Sequence, residues 1–170
     1  MTRVALGLGA NLGDRVAALQ GAVDLLAPLL RDAMVSSVYE TAPVGGPADQ
    51  PDYANAVLVG DTDLDPHRLL AAAHDAEQAW HRTREVRWGP RTLDVDILAV
   101  GDVELRDSDL VIPHPRAHER GFVLVPWAEV DPGFVLVGHG LVSELAARSV
   151  ARDGAVAVRR RDDVHLEIPA

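Results

Sequence analysis

Residues 87–98 read Arg87-Trp88-Gly89-Pro90-Arg91-Thr92-Leu93-Asp94-Val95-Asp96-Ile97-Leu98, and the strand within this stretch organises the rest of the chain. From Thr92 the side chains alternate between polar and apolar, and they then stay apolar as far as Val100. This pattern predicts a half-buried strand over about residues 92–100 that runs into the core. Side chains two apart on a strand share a face, so Asp94 and Asp96 point the same way, with Cα atoms roughly 7 Å apart.

The two carboxylates favour a site for a divalent cation. Carboxylates that close repel each other unless a cation lies between them or one takes up a proton, and Mg²⁺ prefers such hard oxygen ligands. The rigid turn Gly89-Pro90 brings two arginines and a tryptophan beside the pair. An exposed sheet edge with surface ion pairs is the alternative. The compact combination R-W-G-P-R-x-x-D-x-D is harder to explain in that way and favours a magnesium–nucleotide site.

Composition narrows the class of protein. The chain has 170 residues, of which 48% are hydrophobic and 25% charged, as expected for one globular domain. It contains no cysteine, which excludes disulfides and thiolate chemistry, and none of its apolar runs has membrane-spanning length. We also expect no signal peptide. We therefore expect a cytoplasmic protein with no membrane partner, and we expect it to be a monomer.

The basic residues are more informative. All 16 are arginine, which excludes a P-loop lysine, the kinase strand lysine and Schiff-base chemistry. Phosphate binding would then depend on guanidinium groups, which are always charged and bind phosphate in a bidentate manner. A formal net charge of −10 argues against nucleic acid as a partner. It does not argue against a local basic pocket near residues 82–91.

The hydrophobic pattern predicts an ordered set of elements. Strands are predicted over residues 3–9, 34–41, 53–59 and 92–100, and helices over 15–30 and 65–80. The segment 42–52 is too rich in proline and glycine to be anything but a long loop. The order strand–helix–strand–strand–helix–strand is the split β-α-β plan, which predicts an α+β, ferredoxin-like βαββαβ core with an antiparallel sheet and its helices on one face.

Two other patterns have plainer explanations. Gly7, Gly9 and Gly13 suggest a dinucleotide-binding loop, but their spacing is loose, and a tight turn between strand and helix suffices. The histidines at 67, 74 and 81 recur every seven residues, two helical turns apart, so a solvated helix face is favoured over a metal site.

Beyond residue 100 the sequence predicts smaller additions to the core. We expect a short excursion over 103–112, a packing helix over 123–130, a strand at 134–137 and a helix at 141–148. The run Arg159-Arg160-Arg161-Asp162-Asp163 is most simply a charged hairpin turn. The whole chain is expected to form one domain, 1–170, with a core over about 3–130 and an extension over about 131–170.

Five ordered motifs span about three quarters of the chain: Leu8-Gly9-Ala10-Asn11-Leu12-Gly13-Asp14, Ser36-Ser37-Val38-Tyr39-Glu40-Thr41, Asp49-Gln50-Pro51-Asp52-Tyr53-Ala54-Asn55, Arg87 to Leu98 and Pro113-His114-Pro115-Arg116-Ala117-His118-Glu119-Arg120-Gly121-Phe122. Together they resemble the 6-hydroxymethyl-7,8-dihydropterin pyrophosphokinases of folate biosynthesis. The resemblance implies Mg²⁺-dependent transfer of the β,γ-diphosphate of ATP to the hydroxymethyl oxygen of the pterin, with release of AMP.

The resemblance also implies the site residues. The metal ligands, for two Mg²⁺ ions, would be Asp94 and Asp96, and with Arg82 and Arg91 they form the expected catalytic set. ATP would contact Glu77, Arg82, Arg84, Arg87, Trp88, Arg91, Ile97, His114 and Arg120. The pterin would contact Thr41, Val44, Gly45, Tyr53, Asn55, Trp88, Asp94 and Phe122, with aromatic rings enclosing the heterocycle and the asparagine hydrogen-bonding its edge.

Three other functions remain as alternatives. A non-catalytic ferredoxin-like module that binds a small regulatory ligand needs neither the two carboxylates nor the arginine-rich loop. An oxidoreductase built on the glycines would bind a nicotinamide dinucleotide. An RNA-binding module would need a basic, aromatic-rich sheet, which the negative charge opposes.

Overall fold

A computed structural model describes residues 1–42, 51–81 and 93–170, without the side chain of His81. The strands in this part of the chain are β1 (Thr2–Ala10), β2 (Arg31–Val35), β3 (Val38–Thr41), β4 (Tyr53–Thr62), β5 (Asp94–Val100), β6 (Leu105–Arg106), β7 (Val111–Ile112), β8 (Val135–Leu136), β9 (Gly140–Leu141) and β10 (Arg159–Arg161). The helices are α1 (Arg15–Leu26), α2 (Pro66–His81), α3 (Gly121–Val130) and α4 (Val142–Asp153), with short 3₁₀ turns at Ala27–Leu29 and Ala117–Glu119. The fold is therefore α+β.

One antiparallel sheet forms the centre of the molecule. Its strands lie in the order β10-β3-β4-β1-β5, and β2 also pairs with β4. Two smaller hairpins, β6–β7 and β8–β9, lie outside this sheet. The sheet places β4, β1 and β5 side by side, although they come from distant parts of the sequence.

The strand predicted over 34–41 is in fact two strands, β2 and β3, separated at Ser36 and Ser37. The Ser36 hydroxyl accepts a hydrogen bond from the Val57 backbone N–H at 2.9 Å, and the Ser36 N–H donates to the Val57 carbonyl oxygen at 2.9 Å. The Ser37 N–H donates instead to the Glu129 carboxylate at 2.8 Å. These side-chain bonds replace part of the ladder, and so one continuous strand becomes two.

Alternation along β1 divides the hydrophobic residues between two cores. Val4, Leu6 and Leu8 pack on one face against α1 and α2. Ala5, on the other face, packs in a second core that contains Trp127 from α3 and residues of α4. The first two helices thus share one face, as the sequence predicts, but the later helices cover part of the opposite face. The part of that face left open holds the cleft described below.

Gly7, Gly9 and Gly13, which suggest a dinucleotide-binding loop in the sequence, have two different roles. Gly7 and Gly9 lie within β1, so neither the dinucleotide loop nor the turn predicted for them is correct. Gly13 alone lies in the turn, where its φ of +67° is a conformation that side chains disfavour. Asp14 then caps α1 by accepting the Ala17 N–H at 3.0 Å.

The charged segment near the C-terminus is not a hairpin turn. Residues Arg159–Arg161 form β10, which pairs antiparallel with β3 and covers that edge of the sheet. Arg161 forms an ion pair with Glu40 on β3, and Arg159 forms one with Asp52 just before β4. A solvated turn would not make these contacts. Elsewhere the predictions agree with the elements: α2 covers the predicted 65–80, and His67 and His74 are exposed. None of the helices in the described ranges is long and apolar enough to cross a membrane.

Candidate active site

Three neighbouring strands form the floor of a cleft. In the sheet register Gly9 of β1 lies between Asp94 of β5 and Asn55 of β4. One step along, Gly7 lies between Asp96 and Val57. Strands are about 4.8 Å apart, so the Asp94 and Asn55 backbones are separated by about 10 Å, with a glycine between them. Because Gly7 and Gly9 have no side chains, β1 leaves room for a ligand to lie across the sheet.

The cleft above this floor has a volume of about 740 Å³, which is large enough for substantial small molecules. Its lining comes from the three central strands, the Thr41–Ala42 end of β3, the start of α3 and the C-terminal segment: Gly7, Leu8, Gly9, Thr41, Ala42, Tyr53, Asn55, Ala56, Val57, Asp94, Asp96, Arg116, Glu119, Arg120, Gly121, Phe122, Val123, Asp153, Ala157 and Val158. It combines an acidic side on β5 with an amide and aromatic side on β4 and α3.

On the β4 side a buried amide is held in one orientation. Asn55 is 5% exposed and its Nδ2 donates to the Thr41 hydroxyl oxygen at 3.0 Å. A Cβ atom at Gly9 would lie 3.4 Å from Asn55 Oδ1, so the glycine leaves space beside this oxygen. The side chain therefore presents a fixed carbonyl oxygen, which suits recognition of an N–H group on a heterocycle.

On the β5 side the two aspartates line the same cleft, as their spacing predicts. Asp94 is half-buried and Asp96 is exposed, while the intervening Val95 is 5% exposed and packs in the first core. The pair thus offers hard oxygen donors to the open space, and the glycines opposite do not obstruct it. This donor chemistry fits Mg²⁺.

His114 lies at the same end of the sheet. Its backbone N–H donates to the Leu98 carbonyl oxygen at 2.9 Å, and its Nδ1 lies 3.2 Å from the Arg116 backbone N–H, which donates to it. Burial lowers the pKa of His114; Asp96 opposes this, and the positive charges of Arg120 and Arg116 add to it. The ring is therefore neutral near pH 7 and carries its proton on Nε2.

The start of α3 contributes a cation and an aromatic ring. The Arg120 guanidinium carbon lies 5.5 Å from the centre of the Phe122 ring, within cation–π range. Arg116, which also lines the cleft, donates from Nε to Glu119 at 2.9 Å and is largely exposed. Arg120 itself lines the cleft, where its guanidinium group can bind an anion, and its contact with Phe122 restrains that group.

Comparison with known proteins shows to which family this chain belongs. The sequence profile of 7,8-dihydro-6-hydroxymethylpterin-pyrophosphokinase (HPPK) matches residues 5–132, which is most of the chain. The chain belongs to the HPPK family. The resemblance found in the sequence motifs is thereby confirmed.

Relatives within the family are similar over nearly their whole length. A 2-amino-4-hydroxy-6-hydroxymethyldihydropteridine pyrophosphokinase from Methylorubrum extorquens is 46% identical over 148 residues, covering 86% of this chain and 93% of the relative. The pyrophosphokinase of the same name from Mycobacterium tuberculosis is 44% identical over 183 aligned positions, covering 100% of this chain and 92% of the relative.

Solved structures share the fold. A crystal structure of a variant of Plasmodium falciparum HPPK-DHPS with SDX-DHP gives a TM-score of 0.73 at 16% identity and covers 94% of this chain. The wild-type protein with pterin and p-hydroxybenzoate gives 0.69 at 16% identity and covers 89% of this chain. This chain spans about half the length of those proteins, 48% and 43% respectively.

The structure brings seven of the residues that the family resemblance implies to the cleft: Thr41, Tyr53, Asn55, Asp94, Asp96, Arg120 and Phe122. Two lie elsewhere. The Ile97 side chain is 4% exposed in the first core, on the face away from the cleft, so only its backbone is placed to contact a nucleotide. The Glu77 carboxylate accepts the Val95 N–H at 3.3 Å and so links α2 to β5. Val44, Gly45, Arg82, Arg84, Arg87, Trp88 and Arg91 lie outside the described residues.

Sequence reasoning missed two parts of the site. Gly7 and Gly9 form its floor, and their spacing of two within a predicted strand was the available signal. Asp153, Ala157 and Val158 line it from a segment that carries no recognisable motif, and only the tertiary structure brings that segment to the cleft.

Proposed function

We propose that the chain transfers the β,γ-diphosphate of ATP to the hydroxymethyl group of 6-hydroxymethyl-7,8-dihydropterin in folate biosynthesis, giving the pterin diphosphate and AMP. The observation that carries this proposal is the row Asp94–Gly9–Asn55 across three strands. It sets a carboxylate pair for the phosphates about 10 Å from an amide for the heterocycle, along a floor without side chains. Family membership supports the same reaction.

Asp94 and Asp96 are proposed as the ligands of two Mg²⁺ ions. Their oxygen donors, shared face and open position beside Gly7 and Gly9 fit this role. When bound there, Mg²⁺ supplies positive charge that offsets the negative charge of the triphosphate.

The pterin is proposed to lie on the β4 side. Asn55, oriented by Thr41, would accept an N–H from the heterocycle edge, and Tyr53 and Phe122 would contact its faces. Trp88, Val44 and Gly45, implied by the family resemblance, complete the proposed slot, and Asp94 would lie at its inner end.

The phosphates are proposed to lie between β5 and the start of α3. Arg120 provides a guanidinium group, and neutral His114 provides an Nε2–H donor that can bind a phosphate oxygen without adding charge. Arg82, Arg84, Arg87 and Arg91 are proposed to contact phosphates as well, with Arg82 and Arg91 acting in catalysis. Glu77, Trp88 and the backbone of Ile97 are proposed on the nucleotide side.

Catalysis then consists of positioning and charge stabilisation. The hydroxymethyl oxygen forms a bond to the β-phosphorus as the bond between that phosphorus and the oxygen of the α-phosphate breaks. AMP leaves with that oxygen, and the proton of the hydroxyl group is released. A floor that holds both substrates in line converts the encounter into an intramolecular step. Guanidinium groups aimed at the transferring phosphates stabilise the charge that develops, and no covalent intermediate with the protein is required.

The wider organisation is proposed as follows. The strands β5-β1-β4 with β2 and β3, together with α1 and α2, form a ferredoxin-like core within one pyrophosphokinase domain of residues 1–170. Residues 3–130 form this core, and 131–170 are an addition to it. With ATP as co-substrate, we expect the protein to act as a monomer in the cytoplasm, with no nucleic-acid partner.

Product analysis tests the reaction. The full chain is mixed with ATP, Mg²⁺ and 6-hydroxymethyl-7,8-dihydropterin, and nucleotides and pterins are separated by chromatography. AMP formed in equal amount to a pterin diphosphate is the expected result. ADP would indicate transfer of a single phosphoryl group and contradict the proposal. Binding of both ligands without turnover would favour the regulatory-module alternative.

A further inference from the structure

The family profile ends at residue 132, but the cleft continues beyond it. Asp153, Ala157 and Val158 line the cleft, and β10 directly follows them. We propose that residues 153–161 form a pterin-side wall that positions the pterin-contacting residues, with Arg159 and Arg161 as positioning residues. This inference rests on the proposed function of the cleft.

The first contact of this wall is with the start of α3. A Cβ atom at Gly121 would lie 3.4 Å from Cγ2 of Val158 and 3.4 Å from the Ser149 hydroxyl oxygen. Val158 thus packs directly against the first residue of α3, and Phe122 is the next residue. The wall therefore limits where the Phe122 ring can lie over the cleft.

The second contact is a set of arginine–carboxylate pairs at the base of two strands. Arg161 Nη1 lies 2.9 Å from Glu40 Oε1, and Arg159 Nη2 lies 2.7 Å from Asp52 Oδ2. Arg15 of α1 joins both sites, through Glu40 Oε1 at 2.9 Å and the Asp52 carbonyl oxygen at 2.7 Å. These bonds connect β10 and α1 to β3 and to the residue before β4.

The acidic partners in these pairs, Glu40 and Asp52, each lie next to a residue that lines the cleft. Glu40 immediately precedes Thr41, and Asp52 immediately precedes Tyr53. Thr41 and Tyr53 are opposite each other in the β3–β4 ladder, and both line the cleft. Arg159 and Arg161 therefore each hold a residue next to a pterin-side residue, and Thr41 in turn orients Asn55.

Burial distinguishes the two pairs. The Glu40 and Arg161 side chains are 19% and 28% exposed, whereas Asp52 and Arg159 are 36% and 52% exposed. A partly buried, shared carboxylate is screened less by water and salt than an exposed pair. Loss of Arg161 should therefore displace the strand more than loss of Arg159.

The contacts of the wall with α3, β3 and the residue before β4 lie on the pterin side, whereas the acidic pair lies on β5. Steady-state kinetics of the full-length protein can separate an effect on the pterin side from an effect on the nucleotide side, since KM for the pterin and KM for ATP are measured independently. Arg161→Ala is expected to raise KM for the pterin about tenfold, with KM for ATP and kcat changed by less than about twofold. Arg159→Ala should give the same split at about threefold.

Two further variants provide controls. Arg161→Lys keeps one positive charge that can reach Glu40 but loses the two guanidinium bonds to Asp163, and it should recover part of the loss in pterin KM. Arg106→Ala removes an exposed arginine from β6, far along the chain from the wall, and should change neither KM. Thermal unfolding of each variant shows whether the fold survives.

The outcomes are distinct. Equal rises in both KM values, or no rescue by lysine, would mean that β10 only stabilises the sheet edge, and would overturn the inference. If the wild-type protein forms no AMP, the proposed function fails. Pterin binding followed by its own fluorescence then still tests the wall, and it overturns the inference if Arg161→Ala binds the pterin as tightly as the wild type.

Discussion

At the scale of single residues, the carboxylate pair carries the strongest prediction. Asp94→Asn or Asp96→Asn keeps the shape but halves the negative charge offered to Mg²⁺, and so turnover should fall at least about a hundredfold. The fold should survive, because the change also relieves repulsion between the two acids. Product formation and thermal unfolding measure the two effects.

The exposed Asp102, in the turn after β5, gives a matched control. Asp102→Asn removes the same charge next to the opposite end of the same strand and should leave turnover unchanged. Near-normal activity in both cleft variants would contradict the metal assignment.

The Asn55 amide carries a prediction about selectivity between the substrates. Asn55→Ala removes the fixed carbonyl oxygen and should weaken pterin binding about tenfold to a hundredfold. Binding of ATP should change by less than about twofold, because β5 and the start of α3 are unaltered. Calorimetric titration with each ligand measures the difference.

Thr41→Val provides the graded control for this variant. It removes the acceptor of the Asn55 Nδ2 bond, which is 3.0 Å long, but keeps the volume of the side chain. An intermediate loss of pterin affinity is expected, since the amide is then free to rotate. Equal losses for pterin and ATP in Asn55→Ala would mean that the β4 side is not the pterin site.

At the scale of elements, two histidines join the 3₁₀ turn Ala117–Glu119 to the β8–β9 hairpin. The His118 and His139 rings stack with centres 3.9 Å apart and planes at 6°. His139 is exposed overall, and its pKa is lowered from the ordinary value of 6.5, first by partial desolvation of the ring and then by the neighbouring His118. The stacked arrangement therefore favours the neutral form of the His139 ring.

This stack predicts a loss of stability in acid. Because the pKa of His139 is lower in the folded state, the unfolded chain takes up the proton first as the pH falls. Its contribution is complete above the ordinary pKa of 6.5 and is lost as the pH falls through the folded-state value. The melting temperature should therefore drop between about pH 7.5 and about pH 5.5, and should drop less in His139→Gln.

His74→Gln, at an exposed position on α2, is the control and should follow the wild type. Burial also lowers the pKa of His114, so part of the decline should remain in His139→Gln. If His139→Gln declines as much as the wild type, the stack does not couple to folding.

The elements also show how far the sequence could predict the fold. Alternation and helical spacing predicted β1, β4, β5, α1 and α2 closely, because those elements bury one regular face. They could not predict the break at Ser36, which depends on a hydroxyl bonding to Val57 across the sheet. Nor could they predict β10, a short, strongly charged strand whose partner is over a hundred residues away.

At the scale of the whole molecule, the same distinction applies to the site. The carboxylate pair and the Asn55 face were predicted, since their spacing is local and their chemistry specific. The family resemblance implies that Ile97 contacts ATP, but the alternation of side chains along β5 turns the Ile97 side chain into the first core. The C-terminal wall was missed because its role comes only from packing against α3 and β3.

The whole protein should also report the metal through its stability. A ligand that binds only the folded state at about 100 times its dissociation constant stabilises it by about 2.7 kcal/mol. For a chain of this size that corresponds to a rise of roughly 5–10 °C in melting temperature. Mg²⁺ with ATP should produce such a rise in the wild type, and chelation of the metal with EDTA should remove most of it.

Asp94→Asn should lose this rise even where its unliganded melting temperature matches the wild type, because the acidic pair binds the metal together with the triphosphate. Asp102→Asn should keep the rise in full. If ATP stabilises the wild type equally with and without Mg²⁺, the nucleotide is held by arginines alone, and the β5 carboxylates do not form a metal site. If the rise needs Mg²⁺ but persists in Asp94→Asn, the metal is bound elsewhere on the nucleotide side. The row Asp94–Gly9–Asn55 would then not place the metal-bound triphosphate next to the pterin.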